Sequence, residues 1–168
     1  MAELIKLEYK TLPELYVVGA QMRVNMNDGT NPIPAFWGKC FNDGIFKTFD
    51  GRDDIIFENA FVGYMDEWNQ QTGEFSYICG VMLTELPDGI EKLTVRKLQP
   101  CTVADGYIKG IEEDVYMNAH RLTEEAFSKD GKTADFSSFW CSEVYPENFD
   151  KKDEQGRILL NYFIPVKN

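Results

Sequence analysis

The sequence has few of the residues that metal sites and nucleic-acid-binding surfaces require. Its 168 residues include one histidine, four cysteines and 17 basic residues against 28 acidic ones, which gives a net charge of −11. No more than two basic residues are adjacent, and an acidic chain without basic clusters is poorly suited to a phosphate backbone. We therefore expect no direct contact with nucleic acid.

The cysteines are too far apart to indicate a metal site or a disulfide framework. No CxxC pair is present, and His120 is the single histidine. We expect no metal and no cofactor. The amino terminus has no signal-peptide apolar segment, and no apolar run approaches the roughly 20 residues that span a bilayer. We expect a cytoplasmic protein without membrane association.

The chain has enough apolar sequence to form one domain with a full core, since 43% of its residues are hydrophobic and 14% aromatic. Hydrophobic periodicity predicts the order strand, helix, strand, strand twice, over residues of about 15–85 and 93–167. The predicted first helix begins near Pro34 and extends to Phe49. This order predicts an α+β fold, an antiparallel sheet covered by two helices.

The second half contributes a longer helix and two final strands to this prediction. One face of the predicted helix carries Ile111, Val115, Ala119, Leu122 and Ala126. We predict the final strands over residues 136–145 and 158–166.

A carboxylate lies within an aromatic and apolar strand pattern near the C-terminus. In an extended strand Phe139, Cys141, Glu143 and Tyr145 share one face. An ionised glutamate removed from water costs several kcal/mol unless it is paired, and no lysine or arginine lies between residues 134 and 150. Either a cationic ligand pairs with Glu143, or this face is solvated and Glu143 is an ordinary surface residue.

Aromatic residues elsewhere in the chain are candidates for the walls of such a site. Trp37, Tyr64, Tyr77 and Tyr145 could surround a cation, which gains about 0.5–2 kcal/mol from a well-placed ring. The alternative for each of them is packing in the core.

Several short motifs occur in an order and spacing that span most of the chain. They are Val18-Gly19, Ile33-Pro34 before Trp37, Phe75-x-Tyr77-x-x-Gly80, Pro87-x-Gly89, Val103-Ala104, Glu143-x-Tyr145 and Ile164-Pro165-Val166-Lys167. With these motifs the chain resembles the GyrI-like effector-binding domains, which are also attached to AraC-type and MerR-type regulators.

The resemblance implies a tandem βαββ repeat with a central ligand cavity, in which a glutamate meets lipophilic cations. Glu143 is the matching position. It implies that residues 1–168 form a single effector-binding domain, and strand-like sequence from Leu15 leaves no room for a helix-turn-helix. We thus expect a stand-alone, multidrug-binding protein. The expected ligand-binding residues are Glu143, Tyr145, Tyr77, Trp37, Tyr64, Phe139 and Cys141.

Two other functions remain open at this point. Some proteins of the family hydrolyse strained, cyclopropane-bearing natural products, and in such an enzyme Glu143 would be the general base and Tyr145 a hydroxyl donor. No cysteine–histidine nucleophile is expected, because His120 lies off the apolar stripe of its helix and is predicted to be exposed and inert. The third possibility is a protein partner, namely inhibition of a topoisomerase.

Overall fold

The computed structural model describes residues 1–167, apart from the side chain of Ser138. It divides into two compact units, which we call unit A, Glu14–Gln99, and unit B, Met1–Pro13 with Pro100–Asn168. Each unit contains one βαββ repeat and one additional strand. The predicted α+β fold with its tandem repeat, antiparallel sheet and two helices is therefore confirmed, whereas the single domain and the central cavity stay predictions.

Unit A pairs its four strands antiparallel in the order β3-β4-β2-β5. Its elements are β2 (Leu15–Asn25), α1 (Ile33–Asn42), β3 (Ile56–Asn69), β4 (Glu74–Leu83) and β5 (Thr94–Leu98). The first helix is shorter than predicted. It ends at Asn42 because Gly44 adopts a left-handed φ of 71°, and a short 3-10 helix, Ile45–Phe49, follows.

Unit B pairs its strands antiparallel in the order β1-β6-β8-β7. Its elements are β1 (Glu3–Leu12), β6 (Cys101–Gly110), α2 (Glu112–Lys129), β7 (Cys141–Tyr145) and β8 (Ile158–Pro165). The sequence analysis missed β1. This strand lies at the end of the strand order of unit B, and alternating charged residues of this kind are typical of edge strands.

Strand β7, which carries Glu143, begins later than predicted. Residues 136–138 form a 3-10 turn instead of strand, because the Asp135 side chain accepts hydrogen bonds from the backbone N–H and hydroxyl of Ser137, at 3.0 and 2.6 Å. The alternating faces of β7 therefore start at Cys141.

The packing face of α2 differs in part from the predicted stripe. Its buried residues are Val115, Ala119, Thr123 and Phe127. Leu122 is only half-buried, and Ile111 is exposed. A Cβ atom at Gly106 of β6 would lie 2.3 Å from the Thr123 hydroxyl, so helix and sheet are in close contact at this point.

Asp153 organises the turn that leads into β8. It accepts hydrogen bonds from the backbone N–H groups of Arg157 and Gln155 and from Arg157 Nε, each at 2.9 Å. The backbone N–H of Arg157 is the largest of the causes that lower the Asp153 pKa from 3.8 to about 2. A lowered folded-state pKa stabilises the fold above pH 3.8, and this contribution is lost as the pH falls towards 2.

We expect Asp153→Asn to remove this part of the acid dependence. The free energy of unfolding of the variant should fall less between pH 3.8 and about 2 than that of the parent. Urea titrations at several pH values measure the difference. The control is Glu154→Gln, which changes the net charge by the same amount at the exposed neighbouring position, and equal slopes for parent and Asp153→Asn would contradict the prediction.

Candidate functional site

The register between β7 and β8 defines the face that carries Glu143. Glu143 pairs with Tyr162, which in turn pairs with Gly106 on β6. Partners on neighbouring antiparallel strands share a face. Since Gly106 lies directly under Thr123 of α2, Glu143 and Tyr162 lie on the helix-covered face of unit B.

Glu143 is buried on this face, with 8% of its surface exposed. The alternative that Glu143 is an ordinary solvated residue is therefore wrong. The predicted neighbours Cys141 and Tyr145 are also buried, with 8% and 6% exposed, and strand alternation places them on the same face.

Further aromatic rings lie around Tyr145. The ring of Tyr116, on α2, has its centroid 6.4 Å from that of Tyr145 at an interplanar angle of 62°. On the other side, the Phe149 ring meets Tyr145 edge-on at 4.8 Å. The carboxylate face of β7 is therefore bordered by aromatic rings from the helix and from the loop after the strand.

The Tyr116 hydroxyl is influenced by the carboxylates around it. Tyr116 is 36% exposed, and its hydroxyl donates a hydrogen bond to Glu112 Oε1 at 3.2 Å. Burial is the largest cause of the raised Tyr116 pKa, and the negative charges of Glu112 and Glu143 raise it further. The charge of Glu143 thus acts on the tyrosine hydroxyl of α2, and a cation near Tyr116 would experience attraction from the same source.

Cys141 is joined to α2 through a tyrosine. The Tyr162 hydroxyl lies 3.2 Å from Cys141 Sγ and 3.1 Å from His120 Nδ1, and the rings of His120 and Tyr162 meet edge-on at 5.5 Å. His120 is half-buried, and burial lowers its pKa. The expectation that His120 is exposed is wrong, because its ring contacts Tyr162 of the sheet.

Phe139 does not belong to β7. It follows the 3-10 turn, is half-buried, and stacks on the exposed ring of Phe136 with centroids 5.6 Å apart. The contact of Phe139 with a ligand stays a prediction. Strand alternation no longer supports it, because Phe139 lies before β7.

Two of the predicted aromatic residues meet in unit A. Trp37 of α1 donates a hydrogen bond from Nε1 to the Tyr77 hydroxyl at 2.7 Å. Trp37 is half-buried and stacks on Phe46 at 6.1 Å, whereas Tyr77 is fully buried. Tyr77 therefore packs in the core and orients Trp37, whose ring is the more accessible of the two.

Tyr64 lies on the other face of the unit A sheet. It pairs with Ile78, the residue after Tyr77, so the alternation of β4 separates it from Tyr77 and Trp37. Tyr64 is 3% exposed. The structure does not bring Tyr64 together with the other predicted aromatic residues of its unit.

Sequence comparison identifies the family. Residues 6–167 match the profile of the GyrI-like small molecule binding domain. The chain belongs to the GyrI-like small-molecule-binding family. No relative was found among curated proteins.

Several solved structures share the fold of this GyrI-like domain. SAV2435 bound to tetraphenylphosphonium is 15% identical with a TM-score of 0.71, and the match covers 98% of this chain and 95% of SAV2435. The C-terminal domain of EcmrR is 12% identical with a TM-score of 0.58, covering 97% and 98%. A hydrolase encoded by lin2189 from Listeria innocua is 8% identical with a TM-score of 0.52, covering 98% and 93%.

Three residues without a predicted ligand contact, Tyr116, His120 and Tyr162, contact predicted site residues or each other in this GyrI-like domain. Tyr116 and His120 are four residues apart and thus lie on one side of α2, next to the buried Val115 and Ala119. Tyr162 lies opposite Glu143 through the register between β7 and β8, and the sequence of the long connection between these strands does not fix that register.

The described residues contain no group of three or more histidine, cysteine, aspartate or glutamate side chains that could hold a metal ion. Among the helices of residues 1–167, none combines the length and apolar character required to cross a membrane.

Proposed function

We propose that this GyrI-like domain binds lipophilic cations on the helix-covered face of unit B, with Glu143 as the counter-charge. The observation that carries the proposal is the burial of Glu143 on a face bordered by Tyr145 and Tyr116. A buried carboxylate attracts a cation more strongly than an exposed one because less water screens its charge, and aromatic rings add cation–π attraction.

The overall charge favours the same class of ligand. At −11 the protein attracts cations and repels anions of equal size over distances of about a Debye length. SAV2435, which shares the fold, is described in complex with tetraphenylphosphonium, a lipophilic cation. The same charge argues against direct nucleic-acid binding, while a protein partner and a cytoplasmic location stay predictions from the sequence.

Trp37 and Tyr77 stay predicted contributors to ligand binding from unit A. Of the two, Trp37 is the one with exposed surface, and the 2.7 Å hydrogen bond from its Nε1 to the Tyr77 hydroxyl orients its ring.

Binding of tetraphenylphosphonium to the parent protein tests the proposal. We expect calorimetric titration to show binding of this cation, and binding at least about tenfold weaker for tetraphenylborate, which has nearly the same shape and the opposite charge. Equal affinity for the two ions would mean that apolar area alone drives binding. No binding of the cation at all would overturn the proposal.

Hydrolysis of strained electrophiles is the second candidate. It is favoured by the tyrosine rings of Tyr116 and Tyr145, which lie 6.4 Å apart on the face that carries Glu143 and offer hydroxyl donors near a carboxylate base. Mass spectrometry of a cyclopropane-bearing electrophile incubated with the protein distinguishes the two functions, since only the enzyme releases a product.

A further inference from the structure

A thiol and an imidazole are connected by one hydroxyl group on the helix-covered face of unit B. The Tyr162 hydroxyl lies 3.2 Å from Cys141 Sγ and 3.1 Å from His120 Nδ1. Tyr162 and Cys141 are buried, with 5% and 8% of their surfaces exposed. The function proposed above assigns no role to this arrangement.

The single proton of the Tyr162 hydroxyl is directed at Cys141 Sγ when His120 donates from Nδ1, and at Nδ1 when neutral His120 carries its proton on Nε2. In the second arrangement the Cys141 thiol donates to the Tyr162 oxygen. If both protons move by one position, Tyr162 donates to a thiolate and accepts from the imidazolium. Both hydrogen bonds are kept, so His120 can act as a base for Cys141 at a distance.

We infer that Cys141 is a nucleophile that captures α,β-unsaturated carbonyl compounds as covalent adducts. Sγ forms a bond to the β-carbon, and the electron pair of the C=C bond moves towards the carbonyl to give an enolate. The thiol proton passes to Tyr162 while the Tyr162 proton passes to His120. The enolate takes a proton from water at its α-carbon, and His120 returns its proton to water. The net reaction adds S–H across C=C, with no oxidant or reductant.

The other cysteines differ from Cys141 in their surroundings. Cys40 and Cys79 are buried in one core cluster of unit A, and burial raises the pKa of both thiols. Cys101 is half-buried, and burial again raises its pKa. The thiolate is the reactive form of cysteine, and a raised pKa leaves little of it at neutral pH. The rates of these three cysteines therefore serve as references for the rate of Cys141.

N-ethylmaleimide, an α,β-unsaturated carbonyl compound, is the probe. We expect peptide mapping by mass spectrometry to show that Cys141 of the folded protein reacts at least about tenfold faster than Cys40 and Cys79. In urea the four cysteines should react at similar rates. Reaction of Cys141 no faster than Cys40 and Cys79 in the folded protein would overturn the inference.

Two variants test the proton path. Tyr162→Phe keeps the ring and removes the hydroxyl, and His120→Gln removes the base; each should slow modification of Cys141 by about tenfold or more, with Cys101 unchanged. If the substitutions only loosened the structure, the buried Cys141 would react faster instead. An unchanged or increased rate in both variants would therefore contradict the role of the relay.

The inference rests on the proposed function in one respect, since the electrophile would occupy the face that carries Glu143. Saturating tetraphenylphosphonium should protect Cys141 from N-ethylmaleimide. If the cation binds while Cys141 stays unreactive, the covalent capture is wrong and cation binding stands. If Cys141 reacts rapidly in a protein that does not bind the cation, the proposed function is wrong and the thiol site stands.

Discussion

Glu143→Gln should weaken the binding of tetraphenylphosphonium by about ten- to hundredfold. The substitution keeps the size of the side chain and removes its charge, and loss of a charge-assisted contact costs about 1.5–3 kcal/mol. Because Glu143 is 8% exposed, solvent ions screen this charge less than they screen a surface carboxylate. Calorimetric titration of parent and variant measures the change.

Two controls separate the charge of Glu143 from the charge of the whole protein. Glu147→Gln removes an exposed carboxylate four residues further along the chain, changes the net charge by the same amount, and should leave the affinity nearly unchanged. Tetraphenylborate should bind Glu143→Gln no more weakly than it binds the parent. If Glu143→Gln retains its thermal midpoint and the parental affinity for the cation, Glu143 is not the counter-charge.

The repeat and the buried carboxylate were predictable because both rest on local pattern. Glu143 follows Cys141 at the strand period of two, and the aromatic and apolar residues on either side of it in the sequence favour a buried strand. The predicted repeats 15–85 and 93–167 contain β2 to β4 and β6 to β8, but β5, at the start of the second predicted repeat, pairs with β2 and belongs to unit A. Hydrophobic periodicity identifies such segments with little dependence on their partners.

The remaining parts of the site depend on contacts between distant positions. Nothing near His120 in the sequence shows that it meets Tyr162, 42 residues later, because that contact requires both the pairing of the last two strands and the rotation of α2. Tyr64 was grouped with Tyr77 on residue type, although strand register separates the faces on which they lie. A difference of one residue in strand register moves a side chain to the opposite face of the sheet, and hydrophobic periodicity within one strand does not reveal the register between strands.

Two of the glycines in the family motifs, Gly19 and Gly80, have a role that sequence alone did not explain. Gly19 on β2 pairs with Gly80 on β4 at the centre of unit A, and both are buried. A Cβ atom at Gly19 would lie 2.1 Å from the carbonyl oxygen of Cys79, and one at Gly80 would lie 2.1 Å from that of Val18. The obstacles are backbone atoms, so no change of rotamer can relieve the overlap.

Gly19→Ala should accordingly destabilise the protein by about 3 kcal/mol, at the upper end of the usual cost of overpacking, because the two strands must separate. For a chain of this length the thermal midpoint would fall by roughly 6–12 °C. Gly38→Ala is the matched control: this glycine lies within α1, no atom lies within 4 Å of its added Cβ, and alanine favours the helix by about 0.5–1 kcal/mol. Replacement of glycine by alanine should therefore lower the stability of the protein at position 19 and raise it at position 38. Equal midpoints for Gly19→Ala and the parent in thermal unfolding would show that β2 and β4 do not approach so closely at this pair.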